Sequence, residues 1–184
     1  MYQTFGFFIH FRGRFCIYFH EECDEMISFN KTPAAYALIA GNDVYQNTKG
    51  RIDFYDVYEG TLVVVEVYGL DAELENSNSG FWGFHIHEGE RCAGNSEDYF
   101  AWTKMHYNPK GTKHPAHVGD LPPILSQDGV GWMAVYTKRF YPEEVVGRTA
   151  VIHSKADDFM SQPAGNAGEK IACGEIVAWD REIR

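Results

Sequence analysis

The sequence predicts an all-β fold, a sandwich or barrel of many short strands. Apolar and polar residues alternate with a period of two through several segments, and Gly, Asn, Asp and Pro fall between those segments. No stretch carries an apolar stripe at helical spacing over a convincing length. Composition agrees: Gly 18, Tyr 11 and Phe 13 in 184 residues favour strands and turns. With 45% hydrophobic and 23% charged residues, the chain has the balance of a globular protein able to bury a substantial core.

The strands are expected in this order. Ala35-Tyr36-Ala37-Leu38-Ile39 comes first and ends at the turn residues Gly41-Asn42-Asp43. Arg51 to Val57 alternates polar and apolar, the mark of a half-buried strand. Glu59-Gly60 signals a hairpin into Thr61 to Tyr68. A polar stretch from Glu73 to Gly80 leads to Phe81-Trp82-Gly83-Phe84-His85-Ile86-His87. Residues 88–128, rich in Gly, Asn, Pro and His, read as loop. Asp128-Gly129 then opens Val130 to Tyr136; Arg148 to His153 and Gly174 to Trp179 complete the set. There is no internal repeat.

The formal charge of −10 repels nucleic acid and anionic lipid, and no cluster of Lys and Arg offsets it. The same charge repels an anionic substrate, so a site for one needs local positive charge. No apolar run reaches the roughly 18 residues of a transmembrane helix. Neither nucleic acid nor membrane is therefore an expected partner. Residues 1–25 are crowded with aromatics and lack clear periodicity. They have neither the cationic start nor the small-residue cleavage site of a secretory signal. They read as a non-native or disordered extension, with translation starting at Met26 and the domain running over residues 34–184; the alternative is a genuine extra strand or a partner-binding tail. Mass spectrometry of the native N-terminus tests this, and peptides from residues 1–20 would refute it. Without a signal the default compartment is cytoplasmic.

Six of the eight histidines lie between positions 85 and 153. On a strand, residues two apart share a face, so His85 and His87 can reach one ion together. The second cluster is His106, His114, His117 and Asp120, three imidazoles and a carboxylate within fifteen residues. They supply the four nitrogen and oxygen ligands that tetrahedral zinc takes. His153 ends an apolar strand; alone it reads more readily as a core histidine than as a ligand. Seven candidate ligands exceed one four-coordinate site, so two sites are the economical reading. Zinc suits the loop cluster, and an array of imidazoles suits copper, which binds nitrogen more tightly than other first-row divalent ions. The motif HExxH is absent, and Glu88 would point away from its neighbour His87, which argues against a zinc hydrolase. Four cysteines are too few for a disulfide-stapled scaffold and show no CxxC spacing. A single disulfide between Cys92 and Cys173 and a set of free thiols both remain open on these grounds.

Gly83-Phe-His-Ile-His-Glu88, the loop closing in His117-Val-Gly-Asp120, Gly147-Arg-Thr-Ala-Val-Ile-His153 and Gly165-Asn-Ala-Gly-Glu-Lys-Ile-Ala-Cys-Gly174 occur in this order. Together they resemble the copper,zinc superoxide dismutases, from about Ala34 to Ala178. The resemblance implies an eight-stranded Greek-key β-barrel, immunoglobulin-like in its layering, with long metal-binding and substrate-guiding loops. It implies copper held by His85, His87, His106 and His153, and zinc held by His106, His114, His117 and Asp120. His106 is then the ring shared by both ions. Asp157 matches the carboxylate that orients histidines on both metals, and Cys92 with Cys173 matches the family's intrasubunit disulfide. The implied activity converts two superoxide anions to O2 and hydrogen peroxide by alternate reduction and reoxidation of copper, with His106 and Lys170 as catalytic residues. Superoxide is then the small-molecule partner, and a homodimer is one expected assembly.

The chain departs from the family pattern at three places. Lys170 stands where Arg is usual, a flexible point charge in place of a planar fork, so slower catalysis is expected. The segment between Asp157 and Gly165 is short, and only two residues separate His114 from His117. The competing reading is a catalytically weak or inactive dismutase-like module that binds metal. Completeness of the four copper positions favours the enzyme.

Overall fold

The computed structural model describes residues 32–180. The chain divides into two units, Met1–Thr32 and Pro33–Arg184, and the second is the one described here. The extension expected over residues 1–25 and the start at Met26 lie outside the described residues.

Eight strands follow one another in the chain: β1 Ala35–Gly41, β2 Lys49–Val57, β3 Gly60–Tyr68, β4 Phe81–His87, β5 Asp120–Gln127, β6 Val130–Thr137, β7 Thr149–His153 and β8 Lys170–Ala178. They close into an antiparallel barrel in the order β1-β2-β3-β6-β5-β4-β7-β8. The crossings from β3 to its neighbour β6 and from β4 to its neighbour β7 make it a Greek key. The all-β barrel expected from the sequence is thus present.

Alternation builds the core. Ala35, Ala37 and Ile39, Ile52 and Phe54, Val63, Val65 and Val67, and Trp82, Phe84 and Ile86 all point inward and are buried. In β2 and β3 the residues between them stay at least partly open to solvent, as one-sided strands require. β4 and β7 break that pattern. Every residue from Trp82 to His87 and from Thr149 to His153 is buried. Their inner faces fill the barrel; their outer faces carry His85, His87 and His153 beneath the two longest connections, residues 88–119 and 154–169. That covered outer face is where the site forms.

Two expectations need correction. Residues 88–128 are not all loop, since β5 lies within them. Its sequence, Asp-Leu-Pro-Pro-Ile-Leu-Ser-Gln, hides a strand because proline cannot donate to a ladder. Pro122 and Pro123 fall where the β4–β5 register shifts, between the pairs Trp82↔Ile124 and Phe84↔Leu121, so no regular ladder bond is forfeited. The polar stretch after Glu73 holds a short helix, α1 Ala72–Ser77, capped by Asp71 Oδ1 accepting from Glu73 N (3.0 Å) and Leu74 N (2.9 Å). A second short helix, α2 Pro142–Val145, follows β6. Neither is long enough to have left a readable stripe.

Candidate metal centre

β4 places His85 and His87 on one face, and the backbone then brings His106 to them. Tyr107 N donates to Ile86 O (2.8 Å), Ile86 N to Gly119 O (2.9 Å), and Gly119 N to Tyr107 O (2.9 Å). These bonds seat Tyr107 and Gly119 of the long connection against Ile86 near the C-terminal end of β4, and the backbones of His106 and His87 pair in an isolated bridge. Gly119 is required there: a Cβ would meet Ile86 O at 2.1 Å. β7 adds His153 from the neighbouring strand.

The result is two adjoining clusters that share one ring. His85, His87, His106 and His153 form one; His106, His114, His117 and Asp120 form the other. All seven residues are buried, and within each cluster the ligand atoms lie within 4.8 Å of one another. The structure therefore brings together every candidate ligand read from the sequence.

Hydrogen bonds fix which nitrogen each ring offers. Asp157 Oδ2 accepts from His85 Nε2 (2.7 Å) and its Oδ1 from His114 Nε2 (2.9 Å). A carboxylate only accepts, so the protons sit on Nε2 and the lone pairs on Nδ1 face the clusters. His87 Nδ1 donates to Lys104 O (2.9 Å) and His153 Nδ1 approaches Gly168 O (3.4 Å), which leaves both Nε2 atoms as lone-pair donors. Those two atoms face each other at 3.2 Å. Opposed lone pairs at that distance repel unless a cation lies between them. His106 is different. Its Nδ1 meets Asp120 Oδ1 (2.7 Å), inside the second cluster, while its Nε2 faces the first and has no partner.

These residues fit two metal ions. Buried polar atoms are nearly always hydrogen-bonded, yet His85 Nδ1, His106 Nε2 and His114 Nδ1 have no hydrogen-bond partner. His114 Nδ1 lies 3.1 Å from Asp120 Oδ2 without hydrogen-bond geometry. Ligands about 2 Å from a tetrahedral ion stand about 3.3 Å apart. Asp120 already sits 2.7, 3.1 and 3.2 Å from the Nδ1 atoms of His106, His114 and His117.

Charge is arranged to suit. Burial, with the neighbouring rings, holds His87 and His153 well below their ordinary value of 6.5. Burial also lowers His85, against the opposing hydrogen bond from Asp157. Neutral imidazole is the form that binds metal. Burial pushes the Asp120 carboxyl up, but His106, the His117 N–H and His114 outweigh it and hold the group at about 2. Asp157 is likewise lowered against its own burial by its bonds to His85, Phe159 N and His114.

A pH dependence follows for the metal-free protein. In the unfolded chain these rings take protons at 6.5; folded, they refuse them, so stability falls as pH drops below 6.5. The slope approaches about 1.4 kcal/mol per pH unit for each ring. Asp120 and Asp157, both lowered in the folded protein, act in the same direction at lower pH, their contribution being lost as pH falls below 3.8, for Asp120 towards its folded value of about 2. Urea midpoints measured between about pH 4.5 and 7.5 should decline steadily towards acid; a flat profile would mean the rings titrate as in solution.

Three positions were not legible in the sequence. Gln162 clasps the backbone of His114 from both sides: its Oε1 accepts from His114 N (3.1 Å) and its Nε2 donates to His114 O (2.7 Å). Arg139 Nη1 lies within 3.2 Å of the carbonyl oxygens of Pro115, His117 and Asp120. Asp98 Oδ2 accepts from Lys170 Nζ at 2.7 Å. Each acts across a long sequence separation on a loop, where no periodicity marks it. Gly165, by contrast, lies within a motif of the sequence, and its role is steric. It has φ +64°, and a Cβ there would lie 2.0 Å from Asp157 Oδ1. Gly165→Ala should displace Asp157 from His85 and His114 and weaken metal binding about tenfold to a hundredfold. Chelator competition checks this, and unchanged affinity would show that Asp157 does not orient the rings.

The expected disulfide between Cys92 and Cys173 is present. It packs with Phe100 and Val151 in a small apolar cluster on the outer face of the barrel.

A closed β-barrel carrying two adjoining, buried nitrogen-rich clusters defines a two-metal protein. The family model for copper/zinc superoxide dismutase (SODC) matches residues 48–176. Superoxide dismutase [Cu-Zn] 2 of Aquifex aeolicus is 33% identical over 142 residues, covering 69% of this chain and 78% of its own length. Superoxide dismutase [Cu-Zn] of Deinococcus radiodurans is 37% identical over 138 residues, 65% of this chain and 71% of that protein. Extracellular superoxide dismutase [Cu-Zn] of Rattus norvegicus is 34% identical over 130 residues, 63% of this chain and 50% of the relative. The chain belongs to the copper/zinc superoxide dismutase family.

Proposed function

We infer that this chain is a superoxide dismutase whose centre is the ring of His106. The observation that carries the assignment is the pair of unlike environments at that ring, Nδ1 at Asp120 and Nε2 partnerless among three imidazoles. His85, His87, His106 and His153 would hold copper, and His106, His114, His117 and Asp120 would hold zinc. Bound there, copper supplies a one-electron couple through which one superoxide leaves as O2 and a second, with two protons, as hydrogen peroxide, while zinc supplies a fixed charge.

The protein's own groups do the rest. His106 Nε2 has no competing protein partner, so it can take a proton in one half of the cycle and surrender it in the other. Asp157 keeps the lone pairs of His85 and His114 turned inward. Lys170 is the cross-strand partner of His153, and its cation would attract an anion towards the centre. The domain that carries the activity is residues 34–184.

A homodimer and a cytoplasmic location belong to the same reading. Phe81 and Leu125 pair on neighbouring strands, with Val130 and Trp132 on the strand beyond, and all four are exposed. Such a face supports self-association, and sedimentation returning a monomer would remove it. Among the described residues no helix is long and apolar enough to cross a membrane. Cys173 is 2% exposed and Cys92 partly buried, which limits the access of reductants to the disulfide; recovery of the protein outside the cytoplasm on cell fractionation would end that assignment.

The test is metal content together with dismutation by the copper-reconstituted protein. One equivalent each of copper and zinc with cyanide-sensitive activity is expected. No activity at full copper loading would favour the metal-binding module instead.

A further inference from the structure

We propose that Asp98 is a positioning residue that holds the Lys170 ammonium against the disulfide loop and so limits anion capture at the centre. The proposal rests on the function inferred above and concerns the same site.

Lys170 opposes His153 across the β7–β8 ladder, where the register skips one residue of β8. The cross-strand partner lies on the same face. The cleft that opens beside His153 has a volume of about 300 Å³, and neither Lys, Arg, Asp nor Glu lines it. In a molecule of charge −10, Lys170, across the ladder from the cleft-lining His153, is a cation that can offset repulsion of an incoming anion.

That charge is already engaged. Lys170 Nζ donates to Asp98 Oδ2 (2.7 Å) and to Phe100 O (3.1 Å), and the Lys170 side chain is only 15% exposed. Asp98 is in turn fixed, its Oδ1 accepting from Phe100 N at 2.9 Å. A lysine stem has four rotatable carbons and no planar fork, so a loop carboxylate can fix its head where arginine would fix itself. The same carboxylate cancels much of the field that an arriving anion meets. Asp98 thus trades attraction for position.

The test uses azide, a small inorganic anion, titrated by absorption into the copper(II)-loaded, disulfide-intact protein. Asp98→Asn keeps an oxygen for Phe100 N–H and removes the charge; Asp98→Ser does the same with a shorter side chain, should the first variant fold poorly. Either should release Lys170 towards the cleft and tighten azide binding about threefold to fivefold, with a steeper loss of affinity on adding salt. In a Lys170→Met background the same Asp98 substitutions should change azide affinity less than about twofold, because the effect requires the lysine. Three results overturn the proposal: no tightening, weaker binding, or equal tightening in both backgrounds. Dismutation by the wild-type protein is read on the same preparation. If the wild type is inactive but azide follows the expected pattern, the enzymatic assignment fails and the Asp98–Lys170 device stands. If the wild type is active and azide ignores Asp98, the reverse holds.

Discussion

His106→Gln should cost the copper-loaded protein between about a hundredfold and ten thousandfold in dismutation rate, the range of a lost positioned proton-transfer group. Glutamine nearly matches the size of histidine but not its two opposed ring nitrogens. Its amide nitrogen never accepts, and its single oxygen cannot serve Asp120's cluster and the three imidazoles together. In the wild type, Nδ1 meets Asp120 Oδ1 at 2.7 Å while Nε2 is buried without a partner. The substitution should also decouple the clusters, so that zinc is lost at chelator concentrations that leave copper bound to His85, His87 and His153. The measurement is rate per bound copper, with metal content determined on the same sample. A rate within about threefold of wild type at full copper loading would show that the shared ring is not needed for proton transfer.

Removing the disulfide should lower stability of the metal-free protein by about 4 kcal/mol, a large share of the 5–15 kcal/mol typical of a domain. The bond closes a sequence separation of 81 residues, and the loss is mainly a gain in freedom of the unfolded chain. Cys92→Ala with Cys173→Ala is the suitable variant, because alanine leaves no polar atom in the cluster with Phe100 and Val151. Urea unfolding at fixed pH checks the magnitude, and a difference under about 1 kcal/mol would mean the loop is held by its other contacts. Those contacts include Lys170 to Asp98 and Phe100, so the loosened loop should also change how that ammonium is presented.

Much of the architecture was legible because alternation is a local signal. Phe81 to His87 read as a strand and forms β4 over the same residues; the strands near 35, 51, 61, 130 and 149 were found within a few positions of their ends. β8 starts at Lys170, earlier than expected, because its first residues pair with β7 and with β1 as a buried strand lacking alternation. The prolines of β5 imitate a loop, and they are tolerated because β5 itself bulges there, Pro122 and Pro123 together opposing Gly83 between the pairs Trp82↔Ile124 and Phe84↔Leu121.

The sequence by itself offered the paired His85 and His87 and the loop cluster of His106, His114, His117 and Asp120 as candidate ligands, while His153 as a ligand and Asp157 as the orienting carboxylate came only with the family resemblance. Residue type and short spacing suffice for the two local groups, since coordination chemistry restricts which side chains can serve. Only the tertiary structure decided which nitrogen of each ring faces inward. That choice depends on what the opposite nitrogen meets, and the partners come from distant segments: Asp157 for His85, Lys104 O for His87 and Gly168 O for His153. It likewise placed Asp98 against Lys170 and Gln162 around His114. Contacts of this kind join loops that have no period of their own, and chain folding, not local preference, sets which of them meet.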